Sequence, residues 1–475
     1  MKKLKVLFIS LIVIITSCKT EDNQHSEFVE MDFQLQIDMA DDMINEYEVL
    51  LSQNTPEQSR LLLVDMLLNL DDIIDAGVSE DGTTVCWEYK DGLEYCYLTE
   101  TSLTLLNELD RQSNGTRKTI NSQLNDPIIS ENDNALILSP YYYEFAIFDS
   151  FDETDELAEM MGDHNFNVTY KRNTNALALT DNISLQDYKD FHNYSVIAIS
   201  THGGIGGSTG NVFINSGVEF TEDLKLSLKD DYENKRVGIV SARIPYALLP
   251  INPIGTLLWK RHDMVSLSSK WFEKEYENKL DTTLVHMGSC KGYANSSLAS
   301  ALVGNESVFV GWTDDVDSQD NTANAINFFD YLLEGQTVGE AYSQIFQQGT
   351  AFSNDAIFEI SNENSDLVLI DTRLQGTWQY ISNEFNGVVN QINCPNSFVG
   401  WIIDNINIEN VDYFDSQLGD YCGEIIEPGL YPYSLNGNTL NFAGFNLEII
   451  ELTDTTLKID IDPSLDIEYL TFTKL

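Results

Sequence analysis

Positive charge is what this chain most conspicuously lacks. Its 475 residues carry 26 Lys and Arg against 76 Asp and Glu, for a formal net charge of −50. A nucleic-acid partner is excluded on that ground, because a polyanion would be repelled and no basic stripe exists to displace counterions from phosphate. Cysteine is scarce too, and six in so long a chain rule out a small disulfide-dense scaffold. Histidine is equally sparse at six residues, so each can be weighed singly as a catalytic candidate. What the chain does have is 43% hydrophobic and 11% aromatic residues, which suits globular packing and argues against disorder. At roughly 100–200 residues per domain, the length suggests two to four domains.

The chain opens on MKKLKVLFISLIVIITSC. Lys2, Lys3 and Lys5 precede an apolar run, Val6 to Ile15, that is too short to span a bilayer by itself and has the layout of a secretory signal. Ile15-Thr16-Ser17-Cys18 resembles a bacterial lipobox. That resemblance implies removal of residues 1–17 and acylation of Cys18, which would hold the mature chain on a membrane as an outer-membrane or cell-surface lipoprotein. Lys19-Thr20-Glu21-Asp22 resembles the charged tag after the lipidated Cys in surface lipoproteins of Bacteroidetes-type bacteria.

Export exposes the remaining thiols to oxidation, so they should pair unless otherwise used. In Cys86-Trp-Glu-Tyr-Lys-Asp-Gly-Leu-Glu-Tyr-Cys96, a Lys90-Asp91-Gly92 loop makes a hairpin. Counting outward from that loop sets Trp87 against Tyr95 and Cys86 against Cys96 as a cross-strand disulfide. Cys394 and Cys422 form a second candidate pair. Cys290 is left over, either as a nucleophile or as an inert buried thiol.

Three regions follow the signal. Residues 18–126 read as two acidic amphipathic helices and the hairpin, the second helix opening with a Thr55-Pro56-Glu57-Gln58 capping box. A polar stretch holding Arg111, Arg117 and Lys118 follows as a linker and a candidate maturation cut site. Residues 135–370 alternate short apolar runs with helical patterns, the signature of an α/β, mostly parallel sheet flanked by helices. The expected strands are Ala135–Ser139, Asn167–Tyr170, Ser195–Ser200, Val237–Ser241, Thr283–Met287 and Ser307–Gly311, with helices that include Ser266–Tyr276. Residues 371–475 turn to short strands and turns, an all-β module.

Two of the expected strands end in unusual chemistry. Val196-Ile-Ala-Ile-Ser-Thr runs into His202-Gly203-Gly204, and Thr283-Leu-Val-His-Met runs into Gly288-Ser289-Cys290. In an open parallel sheet, ligands bind beyond the carboxyl ends of strands, so one sheet would aim both residues into one crevice. Cys and His suffice for thiol acyl transfer, since the imidazole takes the thiol proton and can later protonate the leaving amine. The amides of Gly203 and Cys290 are the candidate oxyanion donors, and glycines at 203, 204 and 288 would let a substrate backbone approach. A helix expected to start at Cys290 would lower its pKa. Among the other histidines, His286 reads as a core residue and His262 as a surface-loop residue. His164 and His192 lie in polar surroundings, and His25 is in the N-terminal tail.

Over roughly 135–350 these motifs resemble the caspase-like cysteine peptidases, the group that includes gingipains, clostripain-type enzymes and CHAT domains. The resemblance implies His202 as general base and acid, Cys290 as nucleophile, and Gly203 with Cys290 as the oxyanion hole. The chain departs from the group in a long insertion around Arg243–His262, and in Gly-Ser-Cys-Lys-Gly where caspases have Gln-Ala-Cys-Arg-Gly, so residue preference does not carry over. The following segment, Val308 to Asp315, resembles the group's strand and acidic loop. Trp312, Asp314 and Asp315 are therefore candidates for a substrate pocket, while Asp315, Asp317 and Asp320 are candidate calcium ligands in a loop that otherwise reads as simply solvated. The chemistry requires no cofactor. The C-terminal module, opening on Leu374-Gln-Gly-Thr-Trp378 and closing on Tyr469 to Lys474, resembles lipocalin-like domains, with an unrelated β-sandwich as the alternative. A barrel of that size fills readily with its own side chains, so no ligand is expected from the resemblance alone.

The expectation is a surface-anchored cysteine endopeptidase that acts on peptide or protein substrates through a thioester. Two alternatives stand beside it: a binding or adhesion lipoprotein with an inactive caspase-like domain, and an effector protease of CHAT type that cleaves one specific partner.

Overall fold

A computed structural model describes residues 29–79, 82–99, 128–130, 132–143, 153–175, 182–206, 210–249, 256–316, 318–345, 356–362, 365–370, 375–385, 388–391, 400–403, 407–411, 429–436, 439–442, 445–453, 456–460 and 469–475. Residues 1–18, Arg111, Arg117, Lys118, Asp317, Cys394 and Cys422 lie outside them, and with them the signal, lipidation, maturation-cut and second-disulfide expectations.

The N-terminal region holds α1 (Phe33–Leu51), α2 (Pro56–Leu67), β1 (Ile73–Val78), β2 (Thr84–Tyr89) and β3 (Glu94–Leu98). Both helices start on side-chain caps. Asp32 accepts from the Leu35 amide, and Thr55 and Gln58 form a reciprocal capping box ahead of Pro56. Gly92, at φ 87°, turns β2 into β3, and the register sets Trp87 on Tyr95 and Cys86 on Cys96, which are joined by a disulfide.

The central region runs β4 (Ile128–Ile129), β5 (Asn134–Ser139), α3 (Glu153–Asp163), β6 (Asn167–Arg172), β7 (Val196–Ser200), β8 (Gly203–Ile205) and β9 (Val212–Glu219). It continues through α4 (Glu222–Ser227), α5 (Lys229–Glu233), β10 (Val237–Leu249), β11 (Thr256–Ser268), α6 (Ser269–Glu275), β12 (Leu284–Gly288), α7 (Ser297–Leu302), β13 (Val308–Trp312), α8 (Ser318–Leu333), α9 (Val338–Gln344), β14 (Phe358–Ile360) and β15 (Leu367–Val368). β4 and β15 pair with each other in parallel as a separate two-stranded sheet, and the other strands build two larger sheets.

The first is six-stranded, ordered β14-β13-β12-β7-β5-β6, with all neighbours parallel except β14. Its inner strands β5, β7, β12 and β13 are mainly apolar because both faces are covered, whereas the edge strand β6 is polar and only partly buried. Ala135, Ile137, Val196 and Ala198 face a cluster with Leu157, Met161, Phe328 and Phe329 from α3 and α8. The alternate residues Leu136, Leu138, Ile197 and Ile199 face Trp271, Phe272 and Leu298 from α6 and α7. His286 lies in β12 with 1% exposure, and α8 and β14 set Phe329 and Phe358 against its ring.

The second sheet is seven-stranded, ordered β1-β2-β3-β10-β11-β9-β8, and it corrects several expectations. Val237–Ser241 does not join the parallel sheet; it begins β10, which pairs parallel with β3 and antiparallel with β11. A short apolar run suits either sheet, and here the long β10–β11 hairpin decides its partner. That hairpin also takes up the insertion around Arg243–His262, and Ser266–Ser268 belong to β11, so helix α6 starts only at Ser269. His262 is therefore not in a surface loop; it sits in β11, 2% exposed. Because β3 pairs with β10, the N-terminal hairpin and the central region share one sheet, and one apolar cluster runs from α1 to the parallel sheet.

The C-terminal strands are β16 (Gly376–Phe385), β17 (Val388–Gln391), β18 (Gly400–Ile403), β19 (Asn407–Val411), β20 (Gly429–Asn436), β21 (Thr439–Phe442), β22 (Phe445–Leu452), β23 (Thr456–Asp460) and β24 (Tyr469–Lys474). All pair antiparallel with their neighbours, and β16 pairs with both β18 and β24, so that all but β17 close into a ring. Trp378, Trp401, Leu440, Leu457 and Phe472 are among the side chains buried together there. Among the described residues, no helix is long and apolar enough to cross a membrane.

Candidate active site

β7 and β12 are immediate parallel neighbours, in register from Val196 on Leu284 to Ser200 on Gly288. His202 and Cys290 each follow two residues beyond the last pair. Parallel pairing thus leads two segments, distant in sequence, off the same sheet edge side by side. The Thr201 amide donates to the Gly288 carbonyl (3.0 Å), extending the contact past the strand ends. One residue further, the backbones touch: a Cβ built on Gly203 would lie 2.5 Å from the Cys290 carbonyl oxygen and 3.0 Å from Ser289 Oγ.

The glycines therefore answer to the protein's own packing. Gly203 makes room for Cys290, Gly204 for the Phe213 ring at 2.9 Å, and Gly288 for the Glu153 carboxylate at 2.6 Å from the position of an added Cβ.

His202 is half-buried, with Tyr141 edge-on to its ring at a centroid distance of 4.3 Å. Tyr141 is itself buried, and its hydroxyl reaches Met264 Sδ (3.3 Å), so the ring that orients the imidazole is fixed from behind. The Gly203 amide can be placed by ladder parity. Asn215 N–H donates to His202 O and Gly206 N–H to Asn211 O, both at 2.9 Å, so 202 and 206 occupy hydrogen-bonded positions opposite β9. With Gly203 set on Ile214 and Ile205 on Val212, residues 203 and 205 occupy the alternate positions, and their N–H and C=O groups point away from β9. On the other strand end, Ser289 N–H donates to Met287 O and Lys291 N–H to Asp314 O, while the Cys290 amide has no backbone acceptor among the described residues.

Cys290 is the free cysteine among the described residues, and its thiol contacts the Val316 carbonyl at 3.7 Å. Its pKa is pushed up to about 12, chiefly by burial and then by the charge of Asp315. The expected helix start is absent. Lys291 turns the chain at φ 57°, and α7 begins only at Ser297, too far away for its dipole to favour a thiolate.

Lys291 was missed at the sequence level and is central here. It is buried, and its ammonium lies 2.6 Å from Asp315 and 3.6 Å from Asp314. The two carboxylates proposed for a pocket are thus clamped by the residue next to the nucleophile. Lysine following a candidate cysteine was the one available signal, but an acid-rich chain offers too many partners to choose from. Trp312 cannot line a pocket wall, because it is fully buried and its indole N–H donates to Asn321 Oδ1 (2.9 Å). Asn321 in turn donates to the buried Glu153 (2.8 Å), forming a polar network under Gly288 that the sequence did not announce. Among the described residues, no three side chains of the Asp314–Asp320 loop converge as metal ligands. The convergent group found among the described residues, Cys86, Glu94 and Cys96, contains the disulfide and so lacks free thiolates.

No protein-family model and no curated protein matches the chain.

Proposed function

We propose that the chain is a surface-anchored cysteine endopeptidase with a caspase-like catalytic domain. The observation that carries this reading is the adjacency of β7 and β12, which lead His202 and Cys290 off the same sheet edge with Gly203 packed on the Cys290 backbone. His202 takes the thiol proton as the sulfur attacks the scissile carbonyl. The oxyanion forms beside the Gly203 and Cys290 amides, the C–N bond breaks, and the imidazolium protonates the departing amine. Water then hydrolyses the thioester with His202 as base, returning the thiol.

The closed C-terminal ring supports a lipocalin-like module, and its buried tryptophans favour a packed interior over a ligand cavity. Anchoring rests on the lipobox at Cys18. Calcium has no step in this reading, since Lys291 already holds Asp315.

The test is cleavage of a peptide library with mass-spectrometric mapping of the products. Wild-type protein should cleave, whereas Cys290→Ala and His202→Ala should each lose activity by at least about 1000-fold, as expected for members of a nucleophile–base pair. Cleavage that persists in Cys290→Ala removes the reading. A second reading, an inactive caspase-like scaffold in a binding lipoprotein, is favoured by one observation: the thiol rests on Val316 O with its pKa raised to about 12. Wild-type protein that cleaves nothing in the library would select it.

A further inference from the structure

Two consecutive glycines follow His202, and β8 begins with them. Neighbouring residues of a strand face opposite sides of the sheet, so the side chains that Gly203 and Gly204 lack would leave opposite faces. On one face, the Cys290 carbonyl oxygen lies 2.5 Å from where a Gly203 Cβ would be. On the other, the tip of the Phe213 ring takes the place of the Gly204 Cβ, with Cζ 2.9 Å, Cε1 3.3 Å and Cε2 3.6 Å from that position. Phe213 is the direct partner of Gly204 in the β8–β9 ladder, and its ring folds across the pair to cover the glycine. It is also buried in one cluster with Cys86, Cys96 and Val240, which ties the ring to the disulfide of the N-terminal hairpin.

The backbone of β8 is thus held between Cys290 on one face and Phe213 on the other. That matters because β8 has three residues and is the last strand of its sheet, paired with β9. A terminal strand can tilt about its single ladder, and a tilt displaces the peptide groups that point away from the neighbour. The Gly203 amide is one of these, by the ladder parity described above. It is also the candidate oxyanion donor, and such donors act only when already in place: a misplacement of about 1 Å can cost roughly 100-fold in rate. The Phe213 ring blocks the tilt from one face as the Cys290 backbone blocks it from the other.

We infer that Phe213 is a positioning residue for the reaction, its ring holding Gly204, and through it the adjoining Gly203 amide, at the place where the oxyanion forms. The inference rests on the peptidase reading and adds to it a residue that lies outside both strand-end motifs. It confines the effect of Phe213 to the steps that build an oxyanion.

The experiment uses the full chain, one peptide that it cleaves in a Cys290-dependent manner, and iodoacetamide. Peptide cleavage passes through an oxyanion. Alkylation does not, because the sulfur displaces iodide from a saturated carbon and loses only its proton. Phe213→Leu withdraws the ring tip from Gly204, and Gly204→Ala drives a methyl group into it. Each should lower kcat by at least about 10-fold, with KM and the alkylation rate of Cys290 within about 2-fold of wild type. The double variant seats the new methyl in the space that the ring vacates, and its kcat should return to within about 3-fold of wild type. Phe213→Met carries the same test should Phe213→Leu fail to fold. Unchanged kcat in the Phe213 variant, a change confined to KM, or a fall in kcat matched by the alkylation rate overturns the positioning role. So does a double variant no faster than the slower single one, and each of these results leaves the peptidase reading intact. Failure to find any Cys290-dependent cleavage overturns both.

Discussion

At Cys290 the local electrostatics oppose the chemistry the residue would perform. Burial and Asp315 hold the thiol protonated, and Lys291, whose charge pulls the other way, is already committed to Asp315 and Asp314. Neutralising Asp315 removes an anion that disfavours the thiolate, so Asp315→Asn should speed iodoacetamide alkylation of Cys290 several-fold at pH 7.5, read by mass spectrometry. Lys291→Met should slow it. An unchanged rate in both variants would mean that burial alone controls this sulfur.

His286 gives a second prediction at the same scale. Both its ring nitrogens are buried without a hydrogen-bond partner, and burial lowers its pKa from 6.5 to about 4. The unfolded chain therefore binds a proton at this residue between about pH 6.5 and 4 while the folded chain does not, so stability contributed by neutral His286 is present above pH 6.5 and lost as pH falls through that window. From pH 7.5 to 5 the loss amounts to about 2 kcal/mol. Carboxylates titrate nearby in pH, so the measurement is a difference: urea unfolding of wild type and His286→Leu at both values. The variant should lose about 2 kcal/mol less over that interval.

Between elements, the decisive contact is a buried ionic knot. Lys225 of α4 lies 2.8 Å from Asp91 in the β2–β3 turn, and Gln36 of α1 donates to Asp91 (3.0 Å) and accepts from Lys225. All three side chains are buried, and Tyr89 O–H donates to the Gln36 carbonyl alongside. Removing one charge strands the other in a low dielectric. Lys225→Met should therefore destabilise the fold by about 3–5 kcal/mol in chemical denaturation, and Lys225→Met with Asp91→Leu should recover a substantial part. If the double variant is no more stable than the single one, the knot acts through packing and not through charge.

The same contrast between local and non-local interaction explains which elements were legible in the sequence. The β2–β3 register followed from a three-residue loop with Gly92, because a hairpin is set by its turn. β7 and β12 stood out as apolar runs ending in His-Gly-Gly and Gly-Ser-Cys. β10 was assigned to the wrong sheet, since Val237–Ser241 looks the same whether its neighbour is β12 or β3, and only the β11 pairing decides. The Lys291–Asp315 clamp, the Trp312–Asn321–Glu153 network and the Lys225–Asp91–Gln36 knot were invisible for a common reason. Each joins polar residues through tertiary contact, with no periodicity and no local turn to mark it.

For the whole molecule the governing quantity is a net charge of −50 spread over 475 residues. Acids outnumber bases 76 to 26, so one-to-one pairing leaves most carboxylates without a cation. Self-repulsion of this kind opposes the compact state, because unfolding moves like charges apart. Screening should therefore favour folding. At 0.1 M salt the Debye length is about 10 Å, and at 1 M it is about 3 Å. The surface pairs, such as Lys229–Glu233, lose attraction under the same screening, but exposed pairs contribute only about 0–1 kcal/mol each, and cations are outnumbered roughly three to one. Repulsion thus dominates the salt response, and the thermal midpoint should rise by several degrees between 0.02 and 0.5 M NaCl, measured by differential scanning calorimetry. Chloride and nitrate should act alike, which separates screening from specific ion effects. A midpoint that falls with added salt would mean that the favourable pairs, few as they are, outweigh the excess negative charge.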